Sequence, residues 1–235
     1  MNIIWLGHSG FRIECGAAVL LIDPFLTGNP MFPADRRAEA VAGVTHVLLT
    51  HGHGDHSTDA IAIAQGANVP VVGIYDLVNW WQSRDGIKGI GMNKGGTVDL
   101  AGVIVTMVAA SHSSSLPSDA GSVNTGPVYA GSPAGYMIAA EGHVIYLSGD
   151  TDIMADMEWM GDLHDPDIGI LSAGGHFTMD MARAAYAARR YFQFKTVIPC
   201  HYRTFPLLEQ SAEKLAAALP GVQVIEPQVL VPIEV

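Results

Sequence analysis

The 235-residue chain is short of cysteine, of basic residues and of long apolar runs, and each shortage narrows what it can do. Two cysteines, Cys15 and Cys200, cannot build the disulfide framework of a small secreted domain, so a reducing cytoplasm is the expected location. Twelve Lys and Arg against 23 Asp and Glu give a formal net charge of -11. That balance disfavours the phosphate neutralisation on which nucleic-acid binding depends, and no nucleic-acid partner is expected. No apolar run approaches the roughly 20 residues that cross a bilayer, so no integral membrane segment is expected. Residues 1–6 are apolar but lack a basic flank, which reads as the start of a soluble, unprocessed chain. With 49% hydrophobic and 15% charged residues, the composition is that of a compact globular protein. Neither an internal repeat nor a linker divides the sequence, and one domain over 1–235 is expected.

Histidine, in contrast, is concentrated at one place. Thr50-His51-Gly52-His53-Gly54-Asp55-His56 carries three imidazoles and a carboxylate directly after the apolar run 47–49. Side chains at that density cannot each find a separate partner in a dry core, but they can share a metal ion. Neutral imidazole and carboxylate suit zinc, iron, nickel or manganese, and the two glycines are expected to let the backbone turn sharply enough to aim the ligands. A solvated polar loop is the competing reading.

Along the chain, short strands are expected at 2–6, 11–15, 17–22, 44–49, 69–72, 103–108, 136–140, 144–147, 168–171 and 196–198. Helices are expected at 60–65, 76–83, 153–160, 179–192 and about 209–219, with Thr178 as the N-cap of the fourth. Residues 113–135, rich in Ser, Gly and Pro, read as a long functional loop able to cover a cleft. Four polar groups share one kind of position, immediately after an apolar strand: the His51 cluster, His112, Asp150 and His201. Strand ends on one edge of a sheet converge in space, so the four are candidates for a single site.

His-x-His-x-Asp-His followed by isolated His, Asp and His at strand ends resembles the metallo-β-lactamase superfamily. The segments Trp5-Leu6-Gly7-His8-Ser9, Leu21-Ile22-Asp23-Pro24-Phe25-Leu26-Thr27-Gly28-Asn29-Pro30, Gly174-Gly175-His176-Phe177-Thr178-Met179 and Pro199-Cys200-His201-Tyr202 narrow the likeness. They resemble a small family of metal-dependent hydrolases related to ascorbate-6-phosphate lactonase and, more distantly, to phospholipase D enzymes acting on N-acyl phosphatidylethanolamines. The resemblance implies an α/β protein with the αββα four-layer sandwich of the metallo-β-lactamase type. It also implies two divalent ions, zinc first, with manganese, iron or nickel as alternatives. His51, His53 and His112 would hold one ion, Asp55, His56 and His201 the other, and Asp150 would bridge them. Two cations about 3.5–4 Å apart would share a hydroxide whose pKa is lowered to about 7. In iron-based oxygen reductases of the superfamily a glutamate stands at the place of His53, so His53 points to hydrolysis.

Asp150, Asp55 and His176 are the candidate catalytic residues. His176, in a glycine-flanked turn, is a candidate to orient substrate or protonate the leaving group, against a role supporting a ligand or capping a helix. His8 and Asp23 are each either neighbours of the ligands or structural, and Arg203 is a candidate anion contact. Cys200, beside His201, is read as a small buried residue, and Trp80-Trp81 as packing with partial exposure. The expected activity is hydrolysis of an ester-like bond, a lactone or a phosphodiester, in a small-molecule substrate. The alternatives are a nuclease, a mononuclear iron oxygen-dependent enzyme and a non-catalytic metal-binding module. A homo-oligomer is a further expectation that periodicity does not locate.

Overall fold

A computed structural model describes residues 1–116 and 126–235. In the first half, β1 (Asn2–Trp5), β2 (Phe11–Cys15) and β3 (Ala18–Ile22) form an antiparallel meander. The chain then passes a 3-10 turn (Ala34–Arg36) and α1 (Arg37–Val41) into β4 (His46–Leu48), α2 (Gly54–Ser57), α3 (Ala60–Ala67), β5 (Val71–Ile74), α4 (Tyr75–Asp85) and β6 (Gly89–Met92). In the second half, β7 (Thr97–Leu100) and β8 (Val103–Ala109) lead to the two-stranded pair β9 (Ser115–Leu116) and β10 (Val128–Tyr129). Next come β11 (Ala134–Ala140), β12 (His143–Leu147), α5 (Met157–His164), β13 (Ile168–Ser172), α6 (Met181–Tyr191), β14 (Thr196–Cys200), α7 (Glu213–Ala218) and β15 (Gln223–Val224). Finally, β16 (Pro232–Glu234) returns to pair with β1.

Two seven-stranded sheets result, ordered β16-β1-β2-β3-β4-β5-β6 and β15-β14-β13-β12-β11-β8-β7. Each has four antiparallel strands followed by three added in parallel. The halves therefore share one plan, a structural repeat that leaves no trace in the sequence. Parallel strands need covering on both faces, and β5, β13 and β14 are buried throughout. Helices α3 and α4 pack on β5, and α6 packs on β13. By contrast β8 exposes Ile104 between buried Val103 and Val105, the period-2 signature of a strand with one open face. One apolar core takes residues from both sheets, including Trp5, Phe11, Tyr136 and Tyr146. Trp81 joins that core, while Trp80 lies under the Arg84 guanidinium, 4.3 Å from its ring centre.

Several boundaries differ from expectation for identifiable reasons. Helix α5 starts at Met157, not near Ile153. The preceding segment is tied sideways instead, with Asp152 N donating to Ser111 O, Ser111 N to Thr151 Oγ1 and Met179 N to Thr151 O. For α6 the N-cap is Asp180, whose side chain accepts from Arg183 N at 2.8 Å; Thr178 lies outside the helix. Helix α7 begins only at Glu213, because Glu209 is held by Gly174 O and in turn by Arg203 N. The expected loop 113–135 is interrupted by β9 and β10, and its part at 117–125 lies outside the described residues.

Gly161 in α5 faces the end of α6, where an added Cβ would sit 2.0 Å from Tyr191 O. Helix propensity alone favours Gly161→Ala by about 1 kcal/mol. The overpacking opposes this and should leave a net loss of about 1–3 kcal/mol. Thermal unfolding of the variant should show a Tm lower by about 3–10 °C; a raised Tm would contradict this helix contact.

Candidate metal centre

In the first sheet β1, β3 and β4 run in one direction, and in the second so do β8, β12 and β14. Their C-terminal ends carry, in order, His8, Asp23, the His51 cluster, His112, Asp150 and His201. Shared strand direction is thus what gathers residues scattered over the whole chain. Helix α2 sharpens the gathering by placing Asp55 and His56 on a single turn, with His56 N and Ser57 N both bonded to His53 O at 3.0 Å.

The glycines of the cluster act differently from expectation. Neither Gly52 nor Gly54 has a positive φ. Gly52 is needed for space, since an added Cβ would lie 2.3 Å from Ala130 Cβ, just beyond β10. Its amide donates to Ser114 Oγ at 3.2 Å, fastening the cluster to the segment after β8.

Three groups of side chains bring ligand atoms within 4.8 Å of one another: His51, His53 and His112; His51, His56 and Asp150; and His8, Asp55, His56 and His201. In the first, His51 Nε2 lies 3.0 Å from His53 Nδ1. Around Asp150 Oδ2 stand His201 Nε2 at 3.1 Å, His56 Nε2 at 3.3 Å and His112 Nε2 at 3.6 Å. Asp55 Oδ2 lies 3.6 Å from His201 Nε2 and 3.8 Å from His56 Nε2. A tetrahedral shell with bonds of about 2.0–2.2 Å keeps its ligand atoms roughly 3.3–3.6 Å apart. The spacings of 3.3–3.6 Å match that shell, whereas those of 3.0 and 3.1 Å are also hydrogen-bond distances.

Charge and orphaned atoms agree with this fit. Burial acts to raise the Asp150 carboxyl, but the His201 and His56 charges reverse it and hold the group well below the usual carboxylate range. Asp55 is likewise held low, with His56 overcoming the effect of burial. His51 is pushed well down by burial, which keeps its imidazole neutral and able to bind a metal. For His201 burial is outweighed by Asp150, and the imidazole is raised to about 9. His56, facing Asp150, Asp23 and Asp55, is also raised well above the usual imidazole value against its burial. The cluster therefore demands positive charge. Among the described residues His56 Nε2 and Asp150 Oδ1 are buried without a hydrogen-bond partner, each a loss of about 1–3 kcal/mol unless a cation satisfies it.

Asp23 and His8 contribute more than the sequence conveyed. Asp23 accepts from His56 Nδ1 at 2.8 Å, from Thr50 N at 2.8 Å and from Thr50 Oγ1 at 2.6 Å. His8 Nε2 lies 2.9 Å from Asp55 Oδ2. The legible signal for both was their place directly after a strand. His176 stands apart from the three groups: it is exposed, at φ 52°, with its ring 4.5 Å from that of Phe177. Arg203 is exposed at φ 66°, and Cys200 is buried and belongs to none of the groups.

Two facing mixed sheets, helices outside and a His/Asp cluster along one edge define the metallo-β-lactamase fold, and a family model described as a beta-lactamase superfamily domain matches residues 19–202. A UPF0173 metal-dependent hydrolase of Cereibacter sphaeroides is 72% identical over 235 residues, covering 100% of both chains. One from Paracoccus denitrificans is 70% identical over 233 residues, covering 99% of both. Among solved structures, Igni18, a metallo hydrolase from the archaeon Ignicoccus hospitalis, is 29% identical with a TM-score of 0.80, covering 100% of this chain and 98% of that one. The chain belongs to the UPF0173 family of metal-dependent hydrolases within the beta-lactamase superfamily. It is thus a metal-dependent hydrolase whose His/Asp cluster suits divalent cations.

Because Asp23 orients His56 from behind, Asp23→Asn should weaken metal binding by about 10–100-fold. Competition with a chromophoric chelator measures this; an unchanged affinity would mean that His56 is oriented by other contacts.

Proposed function

We propose that the protein cleaves an ester-like bond, in a lactone or a phosphodiester, of a small-molecule substrate, using two divalent ions with zinc as the first candidate. One observation carries the dinuclear reading. A single carboxylate oxygen, Asp150 Oδ2, lies within 3.6 Å of the Nε2 atoms of His112, His56 and His201, which the reading divides between two ions. His51, His53 and His112 would hold one ion and Asp55, His56 and His201 the other, with Asp150 between them. When bound, the ions acidify water to a nucleophile at neutral pH and polarise the substrate oxygen under attack.

The side chains then divide the remaining work. Asp150, with 2% side-chain exposure, would hold the two ligand groups in register, whereas Asp55, at 34%, reaches the open side as a ligand facing the reacting groups. Asp55 and Asp150 stay ionised at neutral pH, as ligands must. His176, exposed after β13 and outside the three ligand groups, is assigned to substrate orientation rather than to ion binding. A nitrogen ligand at position 53 favours hydrolysis over oxygen chemistry. The net charge of -11 favours a small-molecule substrate over nucleic acid. Among the described residues no helix is long and apolar enough to cross a membrane, and a cytoplasmic enzyme acting through one catalytic domain fits these features.

Metal quantification of the purified protein, paired with a panel of lactones and bis(p-nitrophenyl) phosphate, tests the proposal. Two zinc or manganese ions per chain and turnover on a panel member are expected. Asp150→Asn should lower kcat on the order of 10^2-fold or more, since altering even a residue behind a ligand commonly costs that much. A variant as active as the parent, or one iron with oxygen consumption, would overturn the assignment.

A further inference from the structure

His8 is not among the seven ligands, and no step of the proposed hydrolysis uses it. Yet it holds a left-handed backbone, φ 55°, directly after Gly7 at φ 88°. A side chain disfavours that conformation and glycine tolerates it freely, so the reason for a histidine lies in what its imidazole contacts.

The contacts converge on two ligands. His8 Nε2 lies 2.9 Å from Asp55 Oδ2, and its Nδ1 lies 2.9 Å from Thr204 Oγ1. Its carbonyl accepts from Trp5 Nε1 at 2.9 Å and from His201 N at 2.9 Å. The ring is fully buried and packs against His201 at 4.1 Å between centres, with Phe25 and Phe205 edge-on at 5.9 and 5.7 Å. His201 is itself left-handed, at φ 56°, so each of these two histidines braces the other's strained turn. A carboxylate only accepts, so His8 Nε2 must carry the proton. That leaves Nδ1 to accept from the Thr204 hydroxyl.

We propose that His8 is a positioning residue for one metal ion only, the one held by Asp55, His56 and His201, an inference that rests on the dinuclear reading. Its N–H fixes the carboxylate of Asp55, which at 34% side-chain exposure would otherwise swing toward solvent. Its carbonyl fixes the backbone of His201. The Asp55 carboxylate sets the tautomer, and Thr204, whose hydroxyl can donate to Nδ1, supports it. No described hydrogen bond joins His8 to His51, His53 or His112, so the other ion is outside its reach.

Zinc titration of the metal-free full chain against a chromophoric chelator tests this on the parent, His8→Ala, His8→Gln and Thr204→Val, with the Tm of each metal-free protein recorded alongside. The parent should show two binding steps. His8→Ala should weaken one of them by about 10–100-fold and leave the other unchanged. Glutamine, whose amide N–H can reach Asp55, should recover most of that loss. Thr204→Val should weaken the same step, by less than His8→Ala does. The proposal is overturned if His8→Ala keeps both steps at parent affinity, if both steps weaken together, or if glutamine binds no better than alanine. Should His8→Ala fail to fold, the glutamine and valine variants decide: parent-like binding by the first with a single weakened step in the second upholds the proposal, and any other pairing overturns it. A parent that takes up one equivalent overturns the dinuclear reading by itself; the role of His8 then stands or falls on whether that one step weakens.

Discussion

The carboxylate of Asp23 is buried at the end of β3 and takes hydrogen bonds from Thr50 N, Thr50 Oγ1 and His56 Nδ1. A buried polar group in that position is tolerable only when it is hydrogen-bonded, and the three donors meet that need. Once they do, the start of the histidine cluster is fixed against the sheet. Thr50 Oγ1 also lies 3.0 Å from His51 Nδ1, so the same anchor orients a second imidazole. With their Nδ1 atoms engaged, His51 and His56 present Nε2 to the interior. His8 does for Asp55 what Asp23 does for His56, approaching from the end of β1.

These anchors work because the fold has already brought strand ends together. Within each sheet the site-bearing strands are parallel to one another even where an antiparallel strand lies between them, as β2 lies between β1 and β3. A residue just past any of their C-termini therefore emerges on one edge. The two sheets have the same strand plan, so His51 and Asp55 arrive from one half of the chain and His112, Asp150 and His201 from the other. The site is consequently a seam between halves. Its electrostatics reflect that: Asp150 of the second sheet is held ionised by His56 of the first as well as by His201 of its own.

The sequence made the strands legible because buried runs such as 47–49 and 196–198 are apolar and end abruptly at a polar residue. That placed His51, His112, Asp150 and His201 on one edge before any coordinate was known, and the structure brings those four together. Helix starts were less legible where tertiary hydrogen bonds overrode local propensity, as Thr151 and Asp152 show in delaying α5. The role of Gly52 was not legible at all, since it depends on Ala130, far away in sequence. Nor was the weight of His8, whose partners Asp55 and Thr204 lie 47 and 196 residues away.

Left-handed backbone occurs both at ordinary turns and at the site edge. Of the left-handed residues other than glycine, Asn68 and Asp165 cap α3 and α5, Ala101 and Glu141 each precede a glycine in a hairpin turn, and Leu230 donates its N–H to Trp5 O. Such positions arise in any fold. His8, Asp23, His176, His201 and Arg203 all follow strands that end at the same edge, with His8 in the β1–β2 hairpin turn that Gly10 N closes on Gly7 O. A strand continues in the direction it was going unless something reverses it. Where a side chain turns back across the edge within a few residues by entering the left-handed region, bonds made by that residue offset the strain. Asp23 and His8 have those bonds, and His201 has the His8 carbonyl. At Asp23, His8 and His201 the turn that costs energy thus also aims a group at the site, while the remaining ligands sit on unstrained backbone.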